Sequence, residues 1–493
     1  MPNVSSQSVT ETCQSRPRTI DRRFAVELRL LAGLFIPLAA MIACRGPGDS
    51  GGSERPRNLL LIVVDTLRAD RIGFMGGERP TSPRIAALAE AGAWFSKAHA
   101  NSPWTVPSTA TLVTSRYPSE HGAEIPGDVR NLGETPPQQM GGGAISIAQI
   151  LQERGFRCGL FSANPFLFGR FKDGHDVTVV ERQPATPITD LAISYVRSTG
   201  EAPFFIHLQY MDLHQPLEPP QPYFDLFPTP DTGPRDERHR EWAYSNGENL
   251  DTRGFRDFRA NRLALYDGAL RYVDHEIGRL LDALQEMGRL DETLVVVTSD
   301  HGEEFWDHAS LGARLGGDPR GFFGIGHGHS MFQELLRIPL VFTGPGVKQG
   351  LQIHCLTSLL DVAPTVLDLL GVPVPEAMRG ETLAPLIDGD EPVAMTASKA
   401  IYAESPAYGP AAWSLIDDGW KLITRADNVE LLFHLAEDPA ESTDLSSTEP
   451  DRLASMRERM VAIRQTLIAA GTTTTMVVDE STEEQLRALG YLD

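Results

Sequence analysis

Three apolar runs do most to limit what this chain can fold into. Each is continuous and rich in Val, Leu, Ile or Phe; they lie at residues 59–64, 202–208 and 293–298. A strand with one exposed face would alternate apolar and polar residues, so uninterrupted runs are typical of strands buried on both faces. Amphipathic helical patterns lie between them, at residues 85–91, 145–153 and 263–287. Strands that alternate with helices predict an α/β fold, with a mostly parallel sheet flanked by helices.

Polar residues follow each of the three apolar runs. Asp65 ends the first run, Asp212 and His214 follow the second, and Asp300 and His301 follow the third. In parallel α/β sheets, ligands bind beyond the carboxyl ends of the strands. These residues are therefore expected at one edge of the sheet, where a binding or catalytic site would lie.

After residue 390 the pattern changes. Short alternating segments at 411–416 and 420–424 predict strands, and residues 450–470 predict a final helix. A chain of 493 residues is long enough for one large α/β domain and a smaller one. We therefore expect a catalytic domain over residues 57–390 and a small C-terminal α+β subdomain with a tail over residues 391–493.

The first 43 residues are typical of an export signal. Four arginines precede an apolar stretch at residues 28–43, which is short and interrupted for a membrane span. The stretch ends at Ala43 before Cys44, which resembles a bacterial lipoprotein signal, in which cleavage exposes the cysteine for acylation. Glycine, proline and serine then predict a flexible tether over residues 44–56. An ordinary secretory signal and an uncleaved anchor are the alternatives.

This signal predicts an exported protein, a periplasmic or cell-envelope lipoprotein that contacts the membrane only through its lipid. Cys158 and Cys355 lie in apolar stretches and are expected to be buried thiols.

The chain carries a formal net charge of -22. Such a charge repels nucleic acid and anionic membrane surfaces, so neither is expected as a partner. An enzyme that acts on an anionic substrate must then concentrate positive charge locally. A bound cation would supply that charge.

A set of short motifs is distributed over the chain after residue 57. The most informative is SPWTVPSTATLVTSRYP at residues 102–118, and it is accompanied by residues 62–65, 298–303, 326–330, 361–365 and 419–423. Together and in this order the motifs resemble those of the sulfatase family in the alkaline phosphatase superfamily, and several ordered motifs are more specific than any one. The resemblance implies an alkaline-phosphatase-like fold and a hydrolase of sulfate or phosphate esters.

The nucleophile position departs from the usual sulfatase motif. Sulfatases carry Cys/Ser-x-Pro-x-Arg, whose first residue matures to formylglycine, whereas alignment on Pro107 places Thr105 there and Thr109 at the arginine. Threonine is not a known substrate of that maturation, but phosphodiesterases and phosphoryl-group transferases of the superfamily use a threonine directly. Coordination to a divalent cation lowers the pKa of a hydroxyl and fixes its direction. The resemblance therefore implies that Thr105 attacks sulfur or phosphorus and forms a covalent intermediate.

The resemblance also implies a metal site. Four residues match the family's ligand positions: Asp65, Thr105, Asp300 and His301. One divalent ion is expected, which leaves calcium, manganese, zinc and magnesium open. Thr66 stands where formylglycine sulfatases have a second aspartate, and an added imidazole suits zinc or manganese better than calcium. Arg68 and Asp70 follow closely and are expected to support the first ligand.

Three histidines match positions near the ester group in the family: His214, His327 and His329. All three are expected to bind the substrate. His214 and His329 are also expected to be catalytic, as imidazolium groups that hold a non-bridging oxygen or protonate the leaving oxygen. A second metal bound by these histidines and Asp212 is the alternative to a single ion. His308 and His239 are interpreted as exposed loop histidines.

The substrate is expected to be a sulfated or phosphorylated small molecule, glycan or lipid. Two other functions stay open from the sequence. The first is a transferase that passes a phosphoryl-linked group to a hydroxyl rather than to water. The second is a non-catalytic relative that binds an anionic glycan, in which the metal ligands would have decayed.

Overall fold

The structure, a computed structural model, describes residues 55–141, 143–229, 250–389, 399–467, 473–477 and 480–488. The predicted signal peptide, Cys44 and nearly all of the predicted tether lie outside the described residues, as does the predicted domain boundary at 390. Within the described ranges, no helix is both long enough and apolar enough to cross a membrane.

The described strands are numbered in chain order. They are β1 (Asn58–Val64), β2 (Ala93–His99), β3 (Val129–Asn131), β4 (Arg157–Ser162), β5 (Val177–Val180), β6 (Phe204–Tyr210), β7 (Thr293–Thr298), β8 (Glu304–Phe305), β9 (Ile325–Gly326), β10 (Arg337–Ile338), β11 (Leu340–Thr343), β12 (Leu351–Ser358), β13 (Ile401–Glu404), β14 (Tyr408–Pro410), β15 (Ala412–Asp417), β16 (Trp420–Arg425) and β17 (Glu430–His434).

The described helices are numbered in the same way. They are α1 (Pro83–Ala91), α2 (Thr105–Thr114), α3 (Pro118–His121), α4 (Ile147–Glu153), α5 (Ala185–Thr199), α6 (Arg253–Glu286), α7 (Ala309–Arg314), α8 (Gln333–Leu336), α9 (Val362–Leu369), α10 (Ala384–Ile387), α11 (Pro450–Thr466) and α12 (Glu480–Ala488).

A large sheet forms the centre of the molecule. Its strand order is β10-β2-β11-β7-β1-β6-β4-β5, and β12 lies beside β2. The strands β7, β1, β6, β4 and β5 run parallel to one another, whereas β11 is antiparallel to both of its neighbours. The predicted α/β fold with a mostly parallel sheet is therefore confirmed, with antiparallel pairing on one side.

Strand β1 shows why its apolar run is continuous. Leu60, Ile62 and Val64 pack into a core with residues of α1, α5 and α6. The alternate residues Leu59, Leu61 and Val63 pack into a second core with residues of α2, α4 and α9. Successive strand residues point to opposite faces, so helices on both faces require apolar residues at every position.

The longest helix, α6, begins earlier than its periodic pattern predicts. The pattern starts at residue 263, but the helix starts at Arg253, after Thr252, whose hydroxyl accepts a hydrogen bond from the Phe255 backbone N–H at 3.2 Å. Phe255 and Phe258 are buried in the same core as the rest of the helix. The helix therefore extends ten residues beyond the N-terminal end of its predicted pattern.

The C-terminal region forms its own antiparallel sheet. Strands β13, β15, β16 and β17 pair in that order, and Met456 and Met460 of α11 pack against Leu415 and Leu422 of the sheet. This confirms the predicted small α+β region.

The two cysteines of the described region differ. Cys158 is a buried free thiol, as predicted. Cys355 is disulfide-bonded, so the prediction of a free thiol is wrong at that position.

Candidate active site

Four polar side chains meet at the carboxyl edge of the parallel strands. Asp65 follows β1, Asp300 follows β7, Asn164 follows β4, and Gln209 lies near the end of β6. The Gln209 amide donates to Oδ2 of Asp65 at 3.2 Å and to Oδ2 of Asp300 at 3.3 Å. The sheet therefore brings both predicted carboxylate ligands to one point, as its topology requires.

Thr105 is the first residue of helix α2, and its hydroxyl points into this cluster. Thr105 Oγ1 lies 3.3 Å from His301 Nε2 and accepts a hydrogen bond from Asn164 Nδ2 at 3.2 Å. His301 Nε2 in turn lies 3.8 Å from Asp65 Oδ1 and 3.7 Å from Asp300 Oδ2. All four predicted ligand residues are thus buried together.

The hydrogen bonds of this cluster fit a bound cation. His301 Nδ1 lies 2.9 Å from the Gly302 carbonyl oxygen, which can only accept, so Nδ1 carries the proton and Nε2 is left with its lone pair. That lone pair faces two carboxylates, and Asp65 Oδ1 is buried without a hydrogen bond to any residue that the structure describes. Oxygen and imidazole lone pairs that converge in this way are the donor set of a divalent metal.

The electrostatics of the two aspartates support the same interpretation. Burial, and after it the charge of Asp300, raises the pKa of Asp65 to about 7. Burial likewise raises the pKa of Asp300 to about 7. Two carboxylates this close repel each other when both are ionised, and a cation between them would remove that cost.

Asn164 and Gln209 are site residues that the sequence analysis missed. Asn164 Nδ2 also donates to Asp65 Oδ2 at 2.6 Å, so one amide group bridges a predicted ligand and the predicted nucleophile. The available signal was the apolar run before Asn164, which ends as the run before Asp65 does. Asparagine after a strand is common in turns, so the pattern alone did not single it out.

Two further threonines replace charged residues of the sulfatase pattern. Thr66 has a left-handed backbone at φ 59, and its N–H donates to Asp300 Oδ1 at 3.4 Å. Its hydroxyl and that of Thr109 are buried without a hydrogen-bond partner among the described residues. The second-aspartate and motif-arginine positions are therefore uncharged here.

His214 and His327 lie directly beside the cluster. The His327 ring centroid is 4.4 Å from that of His301 and 4.9 Å from that of His214. His327 Nδ1 lies 3.1 Å from Glu303 Oε1. Burial lowers the pKa of His214 to about 3, and burial followed by the charge of His301 lowers the pKa of His327. These two rings are therefore neutral in the free protein, unlike the imidazolium expected.

His329 is held differently. Its Nε2 lies 2.7 Å from Glu304 Oε2, and its Nδ1 lies 3.6 Å from Asp318 Oδ2. Burial alone would lower the His329 pKa, but the hydrogen bond to Glu304 and the charges of Glu304 and Asp318 raise it overall. His329 is therefore the protonated histidine of the three, and carboxylates face both of its nitrogens.

Arg68 and Asp70, which were expected to support the first ligand Asp65, have other partners. Arg68 is buried and donates to the Glu303 carbonyl at 2.9 Å and to Asp307 at 2.7 Å, while its guanidinium also pairs with Asp70. Arg68 thus holds the loop that follows Asp300 rather than contacting Asp65. Asp212 accepts a hydrogen bond from the Ala185 N–H at the start of α5, at 3.2 Å.

The interpretation of His308 as an exposed loop histidine is wrong. His308 is buried and stacks on Phe332 with ring centroids 3.8 Å apart. Its Nδ1 lies 2.7 Å from Glu334 Oε1, and its Nε2 donates to the Ala440 carbonyl at 3.1 Å. His239 lies outside the described residues.

His308, Glu334 and Glu441 are close enough to hold a metal, but their charges are already compensated. Lys421 Nζ lies 2.6 Å from Glu441 Oε1, with both side chains fully buried. Burial alone would lower the His308 pKa, but the hydrogen bond and charge of Glu334, with Glu441 and Glu304, raise it to about 9. Two cations therefore balance two carboxylates here. The cluster ties the catalytic region to the C-terminal sheet.

Comparisons with known proteins match the chain to sulfatases. The family model described as "Sulfatase" matches residues 57–372, and the model "N-sulphoglucosamine sulphohydrolase, C-terminal" matches residues 321–466. Arylsulfatase K of Gallus gallus is 24% identical over 489 residues, which covers 87% of this chain and 86% of the relative.

Solved structures share the fold. The structure of BT4656 in complex with its substrate D-glucosamine-2-N,6-O-disulfate has a TM-score of 0.66 at 18% identity and covers 84% of this chain and 98% of its own. The phosphonate monoester hydrolase of Silicibacter pomeroyi has a TM-score of 0.63 at 22% identity and covers 84% of this chain and 96% of its own. Both matches span most of the two chains.

Proposed function

The chain belongs to the sulfatase family and is an ester hydrolase, and from this premise we propose that it cleaves sulfate or phosphate esters with Thr105 as its nucleophile. One observation carries the proposal. The Thr105 hydroxyl lies at the start of a buried helix, within 3.3 Å of His301 Nε2 and 3.2 Å of the Asn164 amide. A helix N-terminus also favours the anionic group of the ester.

Asp65, Thr105, Asp300 and His301 would hold one divalent cation. When bound, that cation lowers the pKa of a coordinated hydroxyl and stabilises negative charge that develops on the ester. The Asn164 amide, which donates to Thr105 Oγ1, fixes the direction of the hydroxyl lone pairs. The cation would also give a partner to Asp65 Oδ1, which has no hydrogen bond to any described residue.

The reaction proceeds in two displacements. Thr105 Oγ forms a bond to sulfur or phosphorus as the bond from that atom to the leaving oxygen breaks, and the proton lost by the hydroxyl balances the proton gained by the leaving group. Water then displaces the Thr105 oxygen, which releases inorganic sulfate or phosphate and restores the hydroxyl. His329, whose pKa is raised by Glu304 and Asp318, is assigned to the leaving oxygen, and His214 and His327 to the ester oxygens.

The proposed substrate is a sulfated or phosphorylated small molecule or glycan. This class is supported by the relatives, one of which is an arylsulfatase and another of which was solved with a sulfated glucosamine. The phosphonate monoester hydrolase among the structural matches keeps the phosphorus ester open.

One assay tests the proposal. Purified protein is offered an aryl sulfate, a phosphate monoester and a phosphodiester, each with calcium, manganese, zinc or magnesium. Thr105→Ala should abolish most turnover of the accepted substrate, whereas Thr105→Ser should keep part of it because the hydroxyl survives. Mass spectrometry should find unmodified threonine in the resting protein and a sulfuryl or phosphoryl adduct on Thr105 during turnover. Full turnover by Thr105→Ala would instead assign the attack to water.

The two other functions gain no support. A non-catalytic relative would have lost its ligands, but Asp65, Asp300 and His301 are present and meet in one cluster. Within the described part of the chain, no feature favours transfer to a hydroxyl over transfer to water.

A further inference from the structure

A short segment of the C-terminal region contacts two loops of the candidate active site. This clamp segment comprises residues 404–408, from the end of strand β13 to the start of β14. The first loop, residues 101–104, leads into Thr105. The second loop, residues 327–329, carries two of the candidate substrate histidines.

Two side chains of the first loop donate to a single carbonyl of the clamp segment. The Ser405 carbonyl oxygen accepts hydrogen bonds from Ser102 Oγ at 3.0 Å and from Trp104 Nε1 at 2.8 Å. The Glu404 N–H donates to the Asn101 carbonyl at 2.9 Å. Ser102, Trp104 and Ser405 are all buried, so these bonds are shielded from competing water.

The contact with the second loop centres on Gly328. The N–H groups of Ala407 and Tyr408 both donate to the Gly328 carbonyl, at 2.7 Å and 3.0 Å, and the Gly328 N–H donates to the Pro103 carbonyl at 3.0 Å. Gly328 has φ +80, and a Cβ there would lie 3.0 Å from the Ala407 Cβ. The clamp segment therefore approaches the backbone between His327 and His329 closely, and both loops are hydrogen-bonded to it and to each other.

Ser405 is held in an unusual backbone conformation. Its φ is +69, a region that costs a non-glycine residue about 1 kcal/mol or more and persists where the surroundings impose it. The Ser405 hydroxyl donates to Glu124 Oε2 at 2.6 Å, and Arg130 pairs with the same carboxylate at 3.0 Å. The carbonyl that receives Trp104 is thus anchored from the other side.

Trp104 extends this connection to a third loop. Its ring packs edge-on against Phe166, with centroids 6.3 Å apart. The Phe166 N–H donates to Asn164 Oδ1 at 2.9 Å, and Asn164 is the residue whose amide donates to Thr105. Trp104 therefore contacts the clamp segment on one side and the loop of Asn164 on the other.

We propose that the clamp segment sets the position of Thr105 relative to His327 and His329, with Trp104 and Ser405 as positioning residues. The inference rests on the proposed function, in which Thr105 attacks the ester. Displacement of a nucleophile by about 1 Å costs about 100-fold in rate, so the C-terminal sheet contributes to catalysis although none of its residues touches the reacting atoms.

The test removes the two donors to the Ser405 carbonyl. Ser102→Ala combined with Trp104→Phe should lower kcat by about 10- to 100-fold and change KM by less than about 2-fold, because ester contacts remain while the attack geometry relaxes. Ser102→Ala alone should lower kcat by about 3- to 10-fold and carries the test if the double variant does not fold. Trp94→Phe is the matched control, since Trp94 is a buried indole near the start of β2, at the end of that strand away from the first loop; its kcat should stay at the wild-type value.

Two readouts separate positioning from general destabilisation. Metal affinity and melting temperature of the double variant should match those of Trp94→Phe, with assays run well below each melting temperature. Wild-type kcat in the double variant, or a loss shared equally by Trp94→Phe, would overturn the inference. Failure of the proposed function would show separately, as full turnover by Thr105→Ala in an otherwise wild-type chain.

Discussion

At the scale of single residues, three threonines alter the site relative to the sulfatase pattern. In the motif alignment that the family resemblance implies, Thr105 stands at the formylglycine position, Thr66 at an aspartate position and Thr109 at an arginine position. Loss of one negative and one positive side chain leaves the summed charge of the site unchanged. The cluster can therefore hold a divalent cation and an ester anion while a neutral hydroxyl takes the place of a modified aldehyde hydrate.

The metal ligands give the first prediction at this scale. Asp300→Ala and His301→Ala should lose the bound metal and at least about 100-fold in activity, because each removes one donor from a cluster with few alternatives. Metal content by mass spectrometry of the purified protein is the measurement. A chelator should lower the melting temperature of the wild type but not of either variant, since a ligand stabilises only a protein that binds it.

A control and a contradictory outcome accompany this prediction. Asp282→Ala removes an exposed aspartate on α6 that pairs with Arg84 and should keep full metal content. Full metal occupancy in both Asp300→Ala and His301→Ala would place the ion elsewhere in the protein.

Asn164 gives the second prediction. Asn164→Ala removes the amide that bridges Asp65 and Thr105, and kcat should fall by about 10- to 100-fold with metal content retained, because Asn164 is not itself a ligand. Asn131→Ala is the matched control, because the Asn131 side chain accepts a local hydrogen bond from the Gly133 N–H and lies away from the cluster. Unchanged kcat in Asn164→Ala would leave this amide with a structural role only.

The site residues that the sequence analysis found stand at conspicuous positions in the sequence, and those that it missed do not. Asp65 and Asp300 end continuous apolar runs, so a carboxylate at that point is conspicuous in a parallel sheet. Gln209 lies inside a strand, where a buried polar residue has no sequence signature, and His308 was judged by its neighbours in sequence. The partners of His308, Glu334 and Glu441, lie 26 and 133 positions further along the chain. Only the fold brings them together.

At the scale of secondary-structure elements, the hydrophobic period of the sequence predicted which helices and strands exist better than it predicted where they begin and end. Strands β1 and β7 match their apolar runs, because a strand that is buried on both faces has apolar residues at nearly every position. Helix α6 begins ten residues before its regular pattern, since the apolar residues buried in that N-terminal part are Phe255 and Phe258 alone. The antiparallel pairing of β11 could not be predicted, because strand direction depends on contacts distant in sequence.

The contact between elements around His308 gives a pH prediction. The His308 pKa, about 9 in the folded protein, is above its value of about 6.5 in an unfolded chain. The His308 charge therefore adds stability that is fully present below about pH 6.5 and is lost as the pH rises through about 9. Burial raises the pKa of its partner Glu334 to about 7, so both members of the ion pair are ionised between about pH 7 and pH 9. Glu304, Glu441 and Asp438 also interact electrostatically with His308, and Lys421 pairs with Glu441.

The variant His308→Gln isolates this contribution. The difference in melting temperature between wild type and variant should be about 1 to 3 °C at about pH 7.5, where both members of the ion pair are ionised, and should shrink toward zero above about pH 9, because a chain of this size shifts by roughly 1 °C per kcal/mol. Differential scanning calorimetry across this range measures it, and His275→Gln, at a half-exposed histidine of α6, serves as the control with little difference at either pH. A difference that grows with pH would contradict the assignment of His308 as the protonated partner.

At the scale of the whole molecule, the distribution of charge constrains function. The chain carries a net charge of -22, yet the ester it is proposed to cleave is an anion. Long-range repulsion therefore opposes substrate approach, and the local positive charge of the metal site must overcome it at short range. Added salt screens the long-range repulsion over about 10 Å, which should leave the short-range contacts intact.

The attachment of the whole molecule to a membrane is the last prediction. Residues 1–43 are proposed to be a lipoprotein signal, so the mature chain would begin at an acylated Cys44, separated from strand β1 by the tether. Acylation would take up the Cys44 thiol and cleavage would remove Cys13, so the acylated mature chain would hold Cys355 as a thiol rather than in a disulfide. Each buried methylene of an acyl chain contributes about 0.8 kcal/mol to membrane binding, and two or more chains hold a protein stably. Wild-type protein from a bacterial host should therefore enter the detergent phase of a Triton X-114 partition.

Cys44→Ser should stay in the aqueous phase with unchanged kcat, because the site lies in the folded domain. Cys158→Ser, at a buried free thiol, should partition as the wild type does, so that loss of a cysteine as such is excluded. Equal partitioning of wild type and Cys44→Ser would remove the lipid anchor and leave an ordinary secretory signal or an uncleaved anchor, which the mass of the mature N-terminal peptide distinguishes.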